Sequence, residues 1–540
     1  MQPITLRKYQ KDAIKAAKQG WGRGKQKLLV VMPTGTGKTI VFAKLIEEVV
    51  SEGGRVLILA HRVELLKQAR DKLVKTTTVR DEQVQLGVEL AEDPDTVRVV
   101  ISSFQALTTR YYEAKNGKEY TWQRMEEFPE DYFDLIIVDE AHHALSAGYQ
   151  SILSYFSSAR VLGVTATPSR GDMKSLGDYF EEVSFNYSFS QAIQDGWICP
   201  VTQKTVPMEI DISKVRLRGN DFSADDLSEA LRARLKAIAV TIARECSDRK
   251  TVVFVPGVKT GKALAEILCE EGLPAVEVDG ARDYQRDLQA FRDGKYRVIV
   301  NALLLTEGWD CPEVDCVVLL RPTTIPGFFQ QMVGRGTRVC EGKKDLLILD
   351  FLWKYREVQP CRASVLLCGD KEIQSLMDRM LQLSQETTDI LTLYEDSKEE
   401  YAELREEAIF QSTTKAERVP DGLVSPEEYA ALVGDSDLLT YTACFGWEKA
   451  PASDAIKAQI QALGVYPEPI QGTGLAYKIL NSLLQRRQRR MATPMQLKML
   501  AKKGHRSPGR LNMEKASVIL FRDYNYEPIQ LGYSRNGESE

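Results

Sequence analysis

The chain reads as an α/β protein of two successive parallel-sheet lobes with a mainly helical C-terminal extension. Three observations predict this. Between residues 28 and 350, short apolar runs rich in β-branched residues alternate with amphipathic stretches, the pattern of strands covered on both faces by crossover helices. The runs are too many, over too long a stretch, for one compact sheet. Past Phe351 the strand signal fades and helical periodicity takes over.

In chain order, runs at 28–32, 56–59, 97–101, 135–138 and 161–164 predict the strands of a first lobe, residues 1–200. A polar, glycine-containing stretch at 214–222 marks a seam. Runs at 251–255, 298–300, 317–320 and 346–349 then predict a second lobe, 201–356, leaving 357–540 as an accessory region. At ~150 residues per domain, 540 residues fit three to four domains. With 43% apolar and 27% charged residues, wholesale disorder is excluded. Lys plus Arg is 71 against 76 Asp plus Glu, a net charge of −5. That argues against a nucleic-acid grip by global charge alone, and leaves room for a local basic face.

No apolar run approaches the ~18 residues of a membrane span, and the N-terminus lacks the apolar core of a secretory signal. Nine scattered cysteines without a Cys-x-x-Cys read as reduced thiols, and a cytoplasmic location is expected. Four histidines, two of them adjacent, argue against a structural zinc site.

Pro33-Thr34-Gly35-Thr36-Gly37-Lys38-Thr39 follows the first predicted strand and precedes a helical pattern at 40–50. Glycines in that context let backbone N–H groups close around phosphate oxygens at a helix N-terminus. Lys38 is expected to reach the β- and γ-phosphates of a nucleoside triphosphate, and the Thr39 hydroxyl to ligate Mg²⁺. Asp139-Glu140-Ala141-His142 ends the strand at 135–138. An Asp at a strand's carboxyl end suits Mg²⁺, and the adjacent Glu140 suits polarisation of an attacking water.

These motifs, followed by Thr165-Ala166-Thr167-Pro168 and Gln331-x-x-Gly334-Arg335-x-x-Arg338, resemble those of the superfamily 2 helicases. The resemblance covers residues 3–351 and implies two RecA-like lobes with ATP in the cleft between them. It implies a nucleotide contact for Gln10 in Leu6-Arg7-x-Tyr9-Gln10, and for Thr34, Gly35, Thr36 and Gly37. Strand contacts are implied for Arg62, Ser102, Ser103 and Gln105, and for Phe254 at the end of a strand of the second lobe. Thr306-x-Gly308-x-Asp310 resembles the motif linking ATP to nucleic acid. Arg338 is implied as the finger on the transferred phosphoryl group and Arg335 as its companion, three residues apart on a helix starting near Phe328.

Within the superfamily, 306–312, 317–323 and 346–351 are similar to RadD-like and XPB-like DNA helicases. Two departures stand out: there is no cysteine-rich zinc region beyond the lobes, and the acidic box reads Asp-Glu-Ala-His rather than the RadD-like Asp-Glu-Cys-His. An ATP-dependent helicase or translocase, DNA preferred by resemblance, is one expectation. A nucleic-acid-stimulated ATPase that remodels a protein partner through 357–540, or an RNA helicase, is the other.

In the extension, residues 371–408 hold eleven acids against four bases, with Leu376, Met380, Leu383, Ile390, Leu393 and Tyr394 available for an apolar stripe. Residues 473–510 hold ten bases and no acid, a segment suited to phosphates or to pairing with the acidic one. Thr493 with Pro494 predicts a helix start, and a second helix is expected from near Asn512 to Leu520. Trp447, Tyr466 and Tyr477 are expected in the core. Truncation near Gln471 is expected to spare the two lobes.

Overall fold

The structure is a computed structural model. It describes residues 5–521 apart from 61–62, 88–95, 116–117, 167–175, 280–283, 303, 307–308, 310, 385, 413–418, 436–437, 439–440, 442, 444 and 506–507. The chain forms two compact units, Met1–Ser397 and Lys398–Glu540.

The first unit holds two sheets. The first contains β1 (Lys27–Val31), β2 (Val56–Ala60), β3 (Val84–Leu86) and β4 (Val99–Ser103). After a hairpin of β5 (Arg110–Lys115) and β6 (Lys118–Gln123) come β7 (Leu135–Asp139), β8 (Arg160–Thr165) and β9 (Glu182–Asn186). Their spatial order is β3-β4-β2-β7-β8-β1-β9, every neighbouring pair parallel. Parallel pairing puts the carboxyl ends of all seven on one side. The loop after β1 and the last residue of β7 therefore meet there, one strand apart, or about 10 Å at the usual strand spacing.

The second sheet begins with β10 (Val201–Asp211) and, after a hairpin of β11 (Leu217–Arg218) and β12 (Asp221–Phe222), takes β13 (Thr251–Phe254) and β14 (Ala275–Val278). It is completed by β15 (Val298–Asn301), β16 (Cys316–Leu319), β17 (Leu346–Lys354) and β18 (Thr388–Asp389). Its order is β14-β15-β13-β16-β17-β10-β18, and only β10–β18 pairs antiparallel. The apolar runs found the central strands. They missed β3, β9, β10, β14 and β18, which lie at or next to a sheet edge, where β9, β10 and β14 alternate polar residues such as Ser184, Lys204 and Glu277 with their apolar ones.

The accessory region does not start at 357. The strand β18 pairs with β10, and Thr205 Oγ1 donates to the Leu381 carbonyl at 2.7 Å, so 357–397 packs with the second sheet. The apolar stripe is also re-phased. Helix Lys371–Leu383 buries Ile373, Met377 and Leu381 and leaves Met380 and Leu383 exposed, while Ile390 and Leu393 are buried on the next helix. The helix stops at Ser384, so one continuous period across 376–394 does not apply.

In the second unit, helices Pro426–Val433, Asp454–Ala462 and Thr473–Gln488 share a core that includes Val424, Tyr429, Ile460, Val465, Ile479 and Leu483. Helices Pro494–Lys502 and Met513–Phe521 close a second cluster around Leu497, Leu500, Ala516 and Leu520. The expected start holds: Thr493 Oγ1 accepts the Gln496 N–H and Pro494 is the first helical residue. Trp447 and Tyr477 are not core residues; they are 42% and 45% exposed. Trp447 lies on the short helix Gly446–Lys449, which buries none of its residues, and on Thr473–Gln488 the residues Gly474, Ala476, Ile479 and Leu483 take the buried face instead of Tyr477. Tyr466 is half-buried. Among the described residues no helix is long and apolar enough to cross a membrane.

Candidate active site

Between β1 and helix Lys38–Ser51 the chain turns through Gly35 (φ 89°) and Gly37 (φ 85°), conformations that favour glycine. A Cβ on Gly37 would stand 2.6 Å from Gln10 Nε2, so a side chain there would have to displace the Gln10 amide. The loop is braced from outside. Thr36 Oγ1 donates to the Pro33 carbonyl at 2.7 Å, and the Thr36 carbonyl accepts from the Tyr9 hydroxyl (2.7 Å) and Gln10 Nε2 (3.1 Å). Gln10 Oε1 accepts the Arg7 N–H at 3.0 Å. Gln10 is buried, and both ends of its amide hold protein atoms, so the structure gives it a loop-bracing place.

Lys38 Nζ stands 3.4 Å from Glu140 Oε1. Asp139 ends β7, and its Oδ1 accepts the Glu140 N–H at 3.0 Å. Burial, then the Glu140 charge, push the Asp139 carboxyl up to about 6, against the pull of Lys38. Glu140 has φ 50°, a left-handed conformation that strains a residue with a Cβ and that recurs at functional sites. The pocket fits a magnesium–nucleotide on its own terms. Thr34 Oγ1 is buried without a protein partner, Gly35 and Gly37 turn the loop into a helix N-terminus, and Lys38 pairs with Glu140 and draws on Asp139. Thr39, half-buried on the first turn of the helix, and Asp139 are the oxygen donors a hard cation would take.

The second sheet's residues close on this loop from across the cleft. A Cβ on Gly35 would meet Thr337 Oγ1 at 3.3 Å and Arg338 Cγ at 3.6 Å, and one on Gly334 would meet Thr34 Cγ2 at 2.9 Å. Arg335 and Arg338 are not on one helix face. The helix is Pro326–Val333, and both arginines follow it on a turn, with Arg338 in a bridge to Ile198. Arg335 Nη1 donates to the Trp309 carbonyl at 2.7 Å. Burial lowers the Arg338 pKa.

Lys343, unmarked by any motif, ties this turn down. Its ammonium donates to the carbonyls of Arg338 (2.9 Å), Val314 (2.5 Å), Pro312 (3.3 Å) and Gly336. Burial lowers its pKa. Lys72 was also unmarked. Although it has solvent-exposed surface, burial of its charge and then Arg338 lower its pKa, while Asp139 acts the other way. Beside the loop, Tyr9 stacks on Tyr187 at 4.4 Å and Arg7 lies 4.1 Å over Trp197. This aromatic group joins residues 7–9 to 187–197, a contact that no local pattern announces.

The nucleic-acid assignments fare unevenly. Phe254 is wholly buried at the end of β13, an interior strand of the second sheet paired with β15 and β16, so it is corrected from strand contact to core. Ser102 is likewise buried, with its hydroxyl donating to the Ser103 carbonyl (3.1 Å), and Ser103 Oγ caps the next helix by accepting the Ala106 N–H (3.3 Å). Gln105 is exposed. Arg62, Gly308 and Asp310 lie outside the described residues. Thr306 ends the 3-10 turn Leu304–Thr306, and its side chain is outside the described set.

Comparison with known proteins agrees with this arrangement. The family profile "Type III restriction enzyme, res subunit" matches residues 3–170, and "Helicase conserved C-terminal domain" matches 233–340. A protein of Saccharomyces cerevisiae named for ATP-dependent helicase activity, IRC3, is 29% identical over 64% of this chain and 51% of its own length. The DNA 3′-5′ translocase XPB2 of Sulfurisphaera tokodaii is 25% identical over 65% of this chain and 82% of its own. The solved structure of the ATP-dependent Type ISP restriction-modification enzyme LlaBIII bound to DNA aligns with 96% of this chain and 43% of its own, at 15% identity and TM-score 0.50. The chain spans about half the length of the yeast relative.

Proposed function

Since the chain belongs to the superfamily 2 helicases, we propose that it is an ATP-dependent helicase or translocase acting on DNA. The observation that carries this reading is the cleft itself. A glycine turn, Lys38, Asp139 and Glu140 on one lobe face Arg335 and Arg338 on the other. On this reading Lys38 leaves Glu140 to bind the β- and γ-phosphates, and Glu140 accepts a proton from the water that attacks the γ-phosphorus. Thr39 and Asp139 hold Mg²⁺, which when bound neutralises charge on the phosphate oxygens. Arg338 and Arg335 stabilise the charge of the transferred phosphoryl group. Because the site needs both lobes, occupancy and hydrolysis alter their closure, and that movement is what a bound strand feels.

DNA is favoured because named relatives act on it, not because any residue here reads the 2′-OH. The test is ATP turnover with single-stranded, duplex and forked DNA and with RNA, beside unwinding of the same substrates. Stimulation by DNA above RNA supports the proposal. Stimulation by RNA alone would reassign the substrate, and turnover indifferent to every nucleic acid would overturn it.

A further inference from the structure

Apart from glycines, only two described residues have a left-handed backbone conformation: Glu140, in the acidic box, and Arg490 (φ 52°). Arg490 follows helix Thr473–Gln488, where the Arg490 N–H donates to the Arg487 carbonyl (3.1 Å) and the Met491 N–H to the Arg486 carbonyl (2.9 Å). This is the helix stop that places one left-handed residue just past the end and selects glycine there. Other helices of the same unit obey that preference. Pro426–Val433, Asp454–Ala462 and Pro494–Lys502 end on Gly434 (φ 66°), Gly464 (φ 95°) and Gly504 (φ 77°). A long charged side chain kept where glycine is favoured is the kind of outlier that functional sites retain.

The surroundings say what it is kept for. Of the ten bases in 473–510, Arg486, Lys498 and Lys503 are held within the fold, Lys503 by the Leu520 carbonyl at 3.1 Å. Arg486 donates to the carbonyls of Gly509 (2.9 Å) and Ala492 (3.3 Å), and Lys498 pairs with Glu428 at 2.9 Å. Arg486 thereby pins the turn, and Arg487, Arg489 and Arg490 project from it exposed. Arg489 also lines a shallow pocket of about 200 Å³ with Ser482, Gln485 and Arg486. Asp435, the acid on its wall, accepts the Leu438 N–H through Oδ1 at 3.2 Å. Cations at a helix C-terminus gain from its dipole, which accounts for Arg487 without a ligand but not for a left-handed Arg490.

We infer that the pinned turn 487–490 is a phosphate-binding surface of the second unit, on which Arg487, Arg489 and Arg490 contact the backbone of DNA. The occupant follows from charge complementarity. Three guanidiniums on one turn match closely spaced phosphodiesters, contacts that position a protein on DNA without reading its sequence. The inference rests on the proposed motor for the identity of its polyanion. It adds a contact outside the cleft, so the chain can hold DNA through the nucleotide cycle.

The test compares the full-length protein with two full-length variants, a triple Arg487→Gln, Arg489→Gln, Arg490→Gln and a single Arg490→Gly. DNA affinity is measured by anisotropy of a labelled oligonucleotide over a range of KCl. The triple variant should bind more weakly, and the slope of log affinity against log salt should flatten by ~2–3, or ~0.7–0.9 for each lost phosphate contact. Arg490→Gly should flatten it by ~1 while the unfolding midpoint rises, since strain is relieved as a contact is lost. ATP turnover at saturating DNA should be unchanged in both. An unchanged slope in the triple variant, with wild-type turnover still stimulated by DNA, overturns the inference and leaves the motor standing. Loss of slope in a protein whose turnover ignores DNA would sink the motor and keep the surface. An Arg490→Gly protein less stable than wild type would remove the strain argument and overturn the assignment of Arg490.

Discussion

Glu140 combines three features that rarely coincide by packing alone: a left-handed backbone, an ion pair with the phosphate-loop lysine and a neighbouring carboxylate pushed up to about 6. Glu140→Gln should therefore keep nucleotide binding and lose turnover, measured as ATP affinity beside steady-state rate; wild-type turnover would refute its role toward water. Arg338→Ala should cut the maximal rate by ~10³-fold or more while affinity stays within ~10-fold, because a finger acts mostly in the transition state. Lys343 holds the Arg338 turn by its carbonyls. Lys343→Met should lower kcat by about 10²-fold, the cost of a small misplacement, with less change in KM. An equal loss of kcat and thermal stability tracked by Lys343→Arg as well would make it a structural residue only.

At the scale of elements, helix Lys371–Leu383 carries an acid inward. Asp378 is 8% exposed, and Gln359 Nε2 donates to its Oδ2 at 3.0 Å. Burial pushes its carboxyl up to about 6, partly opposed by Arg362. Nearby, Arg362 and Asp350 form a buried pair at 2.9 Å, and Gln330 of helix Pro326–Val333 reaches the Val365 carbonyl at 3.1 Å. The helix bearing the motif before the arginines thus leans on this segment. The folded state holds the Asp378 proton more tightly than the unfolded one. Stability from it is present below the ordinary carboxylate range and is lost as pH rises through about 6. Asp378→Asn should remove that loss, ~2–3 kcal/mol at neutral pH, read as a smaller drop in unfolding midpoint between pH 5 and 7.5. A variant with the wild-type pH profile would contradict it.

The whole molecule divides where its cores do, not where its motifs do. The catalytic motifs end by Arg338 and the acid-free basic segment begins at 473, which makes Gln471 look like a natural cut. Yet helix Thr473–Gln488 supplies Ala476, Ile479, Leu480 and Leu483 to the core that holds Val424, Tyr429 and Ile460. Cutting at 471 should strip that core and leave 413–471 as an exposed, aggregation-prone remnant. Ending the chain at Ser412, past the unit boundary at Ser397 so that helix Ile390–Ser412 stays whole, should instead give a monodisperse protein that hydrolyses ATP. Size-exclusion profiles and turnover of the two truncations decide this; a soluble, cooperative 1–471 and an insoluble 1–412 would reverse the division.

The sequence by itself determined what short stretches can encode. A glycine turn between a strand and a helix, an acidic pair at a strand end and a Thr-Pro helix start each depend on neighbours within a few residues, and each stands where expected. The central strands were legible because both their faces are buried and every residue must be apolar. Burial and long-range partners were not legible, since they depend on residues hundreds apart. Phe254 and Ser102 sit at motif positions but in the core, Gln10 turns its amide to Thr36, and Lys343 finds its carbonyls only when the second sheet's loops converge. Arg490 is the sharpest instance. Its sequence neighbours show a run of bases, but only the closed helix end, fixed by Arg486 reaching Gly509 and Ala492, forces it into the conformation that sets it apart.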